Sequence, residues 1–144
     1  MSTIPVILTI AGSDCSGGAG IQADIKTISA LKGYAASVIT AVTAQNTTGV
    51  QAVYPIPPDI VRAQIISVTD DLQPAAIKIG MVHNAAIVHT IAECLQKYRS
   101  RFVVYDPVMV STSGRKLMTE DTVCAIQNEL FPLCSLITLN LSEA

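Results

Sequence analysis

Charge and aromatic surface are both scarce in this sequence. Only 14% of its 144 residues are charged, 4% are aromatic, and tryptophan is absent. Nine basic and eleven acidic residues leave a net charge of −2, and no basic run occurs. A nucleic-acid backbone is gripped by clustered lysine and arginine, so the chain is not expected to bind nucleic acid. No apolar stretch approaches the roughly 20 residues that cross a bilayer. The first apolar run has no basic residue before it, which argues against a secretory signal. No membrane partner is therefore expected, and the expected location is cytoplasmic. Cysteine is limited to Cys15, Cys94, Cys124 and Cys134, with no C-x-x-C pair. His83 and His89 do not have the spacing of a helical ligand pair. Zinc and thiol-redox motifs are thereby excluded, and reduced thiols are expected.

What the chain does have is apolar content. Half of it is hydrophobic, with a mean hydropathy of +0.48. Either a sheet buried on both faces or membership of a larger core explains this. Ile4–Ile10 reads as a buried strand ending at Ala11-Gly12. Ala19–Lys32 has Ile21, Ile25, Ile28 and Leu31 at helical spacing, with Gly33 as its stop. Ser37–Val42 is a β-branched strand, and Gly49–Ile56 alternates like a short edge strand. Pro57-Pro58-Asp59 opens a helix to about Leu72, with Ile60, Ala63, Ile66 and Ile65 expected inward. Ala75–Ile79 and Phe102–Tyr105 are strands, and Ala85–Tyr98 is a helix with Ile87, Ile91 and Leu95 on one face. Thr119–Leu130 is a helix, and Ser135–Leu139 is the last strand.

Strands alternating with helices predict an α/β domain with a mostly parallel central sheet flanked by helices. Residues 1–144 read as a single domain without repeats or linkers. A further helix is expected after the last strand, so the domain reads as incomplete at its C-terminus. The alternative is that another subunit covers that strand.

Ligands of open parallel sheets bind beyond the carboxyl ends of the strands. Polar or glycine residues recur there: Gly12 to Gly20, Thr43 to Asn46, Gly80-Met81, Asp106, and Asn140 to Glu143. Loops are polar anyway, but one shared cleft explains the recurrence economically. The loop Gly12-Ser-Asp-Cys-Ser-Gly-Gly-Ala-Gly20 lets backbone N–H groups approach a ligand closely. It lacks the lysine of a P-loop. Gly18-Ala-Gly20-Ile-Gln-Ala23 matches the dinucleotide fingerprint formally, but Thr40 to Val50 lacks the required acid.

Asp24 lies on the apolar side of its helix, where an acid is either partnered or functional; favourable placement near the helix N-terminus is the alternative. Gln45 and Asn46 offer amide donors and acceptors suited to the edge of an aminopyrimidine or of an amide-bearing ring. They are also ordinary loop residues. Met81 suits the face of a flat ring or a core. Asp106 and Glu143 suit Mg²⁺ beside phosphates, while Asn140 with Glu143 equally has the spacing of a capping box.

Taken together, these segments resemble one family. Ala11-Gly-Ser-Asp-Cys-Ser-Gly-Gly-Ala-Gly-Ile-Gln-Ala-Asp24 is similar to the opening motif of the hydroxymethylpyrimidine and hydroxymethylpyrimidine phosphate kinases of thiamine biosynthesis. Ser37-Val-Ile-Thr-Ala-Val-Thr-Ala-Gln-Asn-Thr-Thr-Gly-Val50, Lys78-Ile-Gly-Met81 and Asp106-Pro-Val-Met109 match it in order and spacing. The resemblance covers essentially the whole chain and implies a ribokinase-like fold. It implies phosphorylation of 4-amino-5-hydroxymethyl-2-methylpyrimidine and its monophosphate, with ATP and Mg²⁺ as cofactors. Gly12, Asp24, Gln45 and Met81 match positions that hold the pyrimidine, and Thr43 and Val108 would line the same pocket. Asp106 and Asn140 match positions near the nucleotide phosphates, and Asp106 and Glu143 match positions near the metal. A homodimer is implied as well.

The sequence departs from the family in two places. Thr138-Leu-Asn-Leu-Ser-Glu143 stands where the family commonly has Thr-Pro-Asn-x-Pro-Glu, which loosens that loop. The family's second glycine motif, which carries the anion hole and the base, matches nothing in these residues. Catalytic residues are therefore expected downstream of Ala144. Losing an anion-hole donor costs about 10²–10³ in rate, and losing general-base help about 10²–10⁴. The 144-residue chain is accordingly expected to be inactive alone. Two alternative readings are a pyridoxal kinase fragment and a non-catalytic pyrimidine-binding module.

Overall fold

The computed structural model describes residues 3–109, 116, 118–141 and 143–144. Six strands form one sheet in the order β3-β2-β1-β4-β5-β6. They are β1 (Val6–Asp14), β2 (Tyr34–Asn46), β3 (Gly49–Pro55), β4 (Ala76–Ile79), β5 (Val103–Tyr105) and β6 (Leu136–Ile137). All neighbours are parallel except β2 and β3, which form an antiparallel hairpin. The helices are α1 (Gly20–Ala30), α2 (Pro58–Leu72), α3 (Ala85–Tyr98) and α4 (Glu120–Ala125). The expected mostly parallel α/β architecture is thus present. No helix among the described residues is long and apolar enough to cross a membrane.

The core lies between the sheet and α2, α3 and the segment after α4. Leu8, Ile10, Val38, Ile77, Ile79 and Tyr105 meet Val61, Ile65, Ile87, Ile91, Ile126 and Leu130 there, all essentially buried. Fully burying one such aliphatic side chain contributes about 1.5–3 kcal/mol, so this layer drives folding. The Asn84 side chain caps α3 by accepting from the Ile87 N–H at 3.0 Å. Pro58 begins α2, where its missing N–H costs no helical bond.

Several boundaries and faces differ from the sequence expectation. Helix α2 buries Val61, Ile65 and Thr69, whereas Ile60 and Ala63 are exposed and Ile66 is only half-buried. A buried threonine hides this face from a hydrophobic pattern. Its hydroxyl donates back to the Ile65 carbonyl at 2.7 Å, which satisfies it locally. In α1, Ile21 is buried but Leu31 is 79% exposed, because the helix ends at Ala30. The expected helix Thr119–Leu130 is α-helical only to Ala125; a π-turn (Ile126–Leu130) and a 3₁₀ turn (Phe131–Leu133) follow. Strand β2 continues past Val42 to Asn46 because β3 folds back and pairs with it. Strand β1 likewise extends to Asp14 by pairing with Val42 and Thr43. The short last strand begins at Leu136 and ends at Ile137.

Candidate functional site

The carboxyl edge of the sheet is laced together strand by strand. The Gly80 N–H donates to the Ile10 carbonyl at 2.8 Å, Asp106 N–H to Ile79 at 2.9 Å, and Thr138 N–H to Tyr105 at 2.9 Å. These bonds bring Gly80, Asp106 and Thr138 to successive strand ends beside β1. The sequence expectation was one shared cleft; the alignment places these strand ends along one edge.

At Gly12 the β1–β2 register shifts, so Thr40 and Ala41 both stand opposite one residue. Such bulges re-aim side chains. Here the Thr40 hydroxyl donates to the Met81 carbonyl at 2.8 Å, joining β2 to the segment after β4. A Cβ at Gly12 would stand 3.2 Å from the Met81 Cε. Glycine at this point lets the methionine side chain lie close to the β1 backbone, so Gly12 and Met81 come together as the sequence suggested.

The glycine loop is organised by Asp14, a residue that sequence reasoning had not singled out. Its carboxylate accepts from Ser16 N–H at 2.9 Å, Ser16 Oγ at 2.7 Å, Gly18 N–H at 3.0 Å and Ala19 N–H at 2.8 Å. Burial alone would push its pKa up, but these bonds favour the charged form and hold the carboxyl below its usual range. Gln22 adds a brace: its Oε1 accepts from Asp14 N–H at 2.9 Å, and its Nε2 donates to Ser13 Oγ at 2.8 Å. The loop closes where Gly20 bridges Ser13. Gly20 has φ +60°, and a Cβ there would lie 2.3 Å from the Gly12 carbonyl oxygen.

Thr43 is buried and Gln45 half-buried on β2. The Thr43 hydroxyl lies 2.9 Å from the Ser13 carbonyl and 3.1 Å from Gln45 Oε1. The thiol of Cys15 donates to the Gln45 carbonyl at 3.1 Å and accepts from its N–H at 3.3 Å. Both contacts tie the glycine loop to the end of β2, so Gln45 belongs to a strand rather than to the loop the sequence suggested.

Asp24 is partnered. Its Oδ2 accepts from Thr9 Oγ1 on β1 at 2.6 Å and from Lys78 Nζ on β4 at 2.9 Å. Its side chain is 18% exposed and that of Lys78 27%. A Cβ on Gly80 would come 2.9 Å from Lys78 Nζ, so the ammonium passes beside the carboxyl end of β4. Neither Thr9 nor Lys78 was identified from spacing. The available signal for Lys78 was a lone basic residue inside the apolar run Ala76-Ile-Lys-Ile79.

Asp106 is exposed and accepts at Oδ1 from Thr138 Oγ1 at 2.9 Å. Glu143 accepts from Met109 N–H at 3.0 Å and from Asn140 N–H at 3.2 Å, one bond on each oxygen. Asn140 Oδ1 in turn accepts from Glu143 N–H at 3.0 Å. That reciprocal pair has the form of a capping box. Val108 is 36% exposed beside Asp106. No group of three or more metal-ligating side chains occurs among the described residues.

The family model for phosphomethylpyrimidine kinase matches residues 14–144. The chain belongs to the phosphomethylpyrimidine kinase family. It is 54% identical over 137 residues to the hydroxymethylpyrimidine/phosphomethylpyrimidine kinase of Escherichia coli strain K12, covering 95% of this chain and 52% of that protein. Among solved structures, phosphomethylpyrimidine kinase from Clostridium difficile 630 superposes with a TM-score of 0.92 at 50% identity, over 96% of this chain and 60% of that one. A Bacillus subtilis pyridoxal kinase solved as an ADP complex superposes with a TM-score of 0.88 at 37% identity, over 98% and 54%. The chain therefore spans about half the length of the curated phosphomethylpyrimidine kinase relatives it matches.

Proposed function

We propose that the chain carries the pyrimidine-binding part of an ATP-dependent kinase. The kinase would phosphorylate the hydroxymethyl group of 4-amino-5-hydroxymethyl-2-methylpyrimidine, and then the monophosphate, in thiamine biosynthesis. The observation that carries this reading is the fixed Asp24 carboxylate on one side of β1 with the anchored Gln45 amide on the other. With Oδ2 held by two donors, Oδ1 is the natural acceptor for an exocyclic amino group. With Gln45 Oε1 facing the Thr43 hydroxyl, its NH₂ is left to donate to a ring nitrogen. An acceptor and a donor offered in this way complement the amino group and ring nitrogen of an aminopyrimidine. Gly12, Met81, Thr43 and Val108 complete the pocket in this reading.

Phosphoryl transfer depends mostly on positioning and on neutralising charge. Asp106 suits an outer position at the Mg²⁺ of Mg-ATP, since the described residues make no hydrogen bond to its Oδ2. Bound Mg²⁺ would neutralise the phosphate charge during transfer. Glu143 has both oxygens on backbone N–H groups, so it reaches a metal only by exchanging one of them. In this arrangement Glu143 and Asn140 shape the loop beside the phosphates. The anion hole and the base would come from residues that match nothing in these 144. A cytoplasmic homodimer is the assembly expected from the resemblance.

Calorimetric titration with the aminopyrimidine tests the reading. Binding is expected, and Asp24→Asn should weaken it about 10-fold or more, the loss of a hydrogen bond to a charged group. Unchanged affinity in that variant would reduce Asp24 to a helix-terminus acid. The similarity to pyridoxal kinases gives a second reading, and competition between pyridoxal and the pyrimidine separates the two. With Mg-ATP added, mass analysis should find no phosphorylated product at an enzymatic rate from the 144-residue chain.

A further inference from the structure

We propose that Lys78 is a positioning residue that makes the site prefer an amino-substituted over an oxo-substituted pyrimidine. The inference rests on the reading of Asp24 given above and adds a determinant of specificity to it.

Lys78 is the sole basic residue in the six strands. Its neighbours Ile77 and Ile79 point into the opposite, apolar layer. A lysine on a central strand of an apolar sheet is expensive to desolvate unless paired. Its pairing with Asp24 answers that cost, but replacing a largely buried ion pair by apolar residues is often neutral or stabilising. Stability alone therefore gives a weak reason for lysine here.

The geometry supplies a better one. Lys78 Nζ and Thr9 Oγ1 both bond to the same carboxylate oxygen, Oδ2, at 2.9 and 2.6 Å. Two tethers on one oxygen fix the rotation of the carboxylate about its own axis. No described residue bonds to Oδ1. Asp24 then presents a single acceptor in a set direction, matched to an N–H donor and repulsive to a ligand oxygen. Room for the tether is provided by Gly80, where a Cβ would lie 2.9 Å from the ammonium and 3.0 Å from Ala11 Cβ. The absence of a side chain at Gly80 thus serves Lys78 as well as the ligand edge.

The test compares 4-amino-5-hydroxymethyl-2-methylpyrimidine with its 4-oxo counterpart by calorimetric titration. The unaltered chain should favour the amino compound by about 100-fold or more, because an oxo group leaves the carboxylate unpaired and repelled. Lys78→Met should reduce that preference to about 10-fold or less, since a loosened carboxylate discriminates poorly. Gly80→Ala keeps the lysine but drives its ammonium aside, and should reduce the preference in the same direction. Lys78→Arg retains a cation on Oδ2 and should recover part of it. A merely structural lysine would weaken both compounds by one factor and leave their ratio unchanged. An unchanged ratio in folded Lys78→Met overturns the proposal alone. If that variant does not fold, an unchanged ratio in Gly80→Ala overturns it. Failure of the unaltered chain to bind either compound overturns both this proposal and the pyrimidine reading beneath it.

Discussion

Replacing Gly20 by alanine should unseat the glycine loop, and the size of the effect follows from the backbone. Gly20 has φ +60°. A side chain in that left-handed region costs roughly 1–2 kcal/mol. The added Cβ would also lie 2.3 Å from the Gly12 carbonyl oxygen, 3.2 Å from its carbon and 3.3 Å from the Asp14 nitrogen. All three atoms are strand backbone, so no side-chain rotation relieves the clash. Relief requires opening the Ser13–Gly20 bridge, at about 1 kcal/mol for each hydrogen bond lost. The total comes to about 2–4 kcal/mol. Urea unfolding should show a lower midpoint at an unchanged slope. Gly18→Ala is the control, since its Cβ would meet only Asp14 Oδ2 at an ordinary 3.7 Å; it should shift stability by less than about 0.5 kcal/mol. A loss below about 1 kcal/mol for Gly20→Ala would refute the reasoning, because the conformational cost alone approaches that value.

Three further outcomes are expected. Asp14 has a lowered carboxyl pKa in the folded state, so its contribution is fully present above the ordinary carboxylate value of about 3.9 and is lost as pH falls through the lower, folded one. Asp14→Asn should cost about 2 kcal/mol near neutral pH and flatten that acid limb in unfolding measured against pH. Tyr105 is fully buried, and its hydroxyl has no hydrogen-bond partner among the described residues; burial accordingly pushes its pKa up. Tyr105→Phe should leave thermal stability unchanged or raise it by up to about 1 kcal/mol. Thr43→Val removes the contact to Gln45 Oε1 and should weaken aminopyrimidine binding about 10-fold, read by calorimetry, with a stability loss near 1 kcal/mol.

Local periodicity carried much of the architecture. Ile87, Ile91 and Leu95 announced α3 because one hydrophobic stripe faces the sheet. The parallel order followed from strands separated by helices. What stayed hidden depends on contacts distant in sequence. Strand β2 reaches Asn46 only because β3 returns alongside it. The inward face of α2 was obscured by Thr69, a polar residue satisfied by its own helix. At the site, Gly12, Gln45, Met81 and Asp106 were legible as strand-end residues. The partners of Asp24 were not, since Lys78 lies 54 residues away on another strand. Asp14 was hidden for the opposite reason. An acid within a glycine loop looks like ordinary loop polarity until its four donors are seen. The capping-box spacing of Asn140 and Glu143 was visible in the sequence, and the side chains adopt it.

The central claim is that an aminopyrimidine sits at the carboxyl edge of β1, β2 and β4. Amide chemical-shift mapping of the 144-residue chain, titrated with 4-amino-5-hydroxymethyl-2-methylpyrimidine, tests it most directly. The account predicts saturable shifts concentrated at Gly12, Asp24, Gln45, Gly80 and Met81. Shifts confined to the opposite end of the sheet, around Arg99 and Pro132, or no shifts at millimolar ligand, would contradict it.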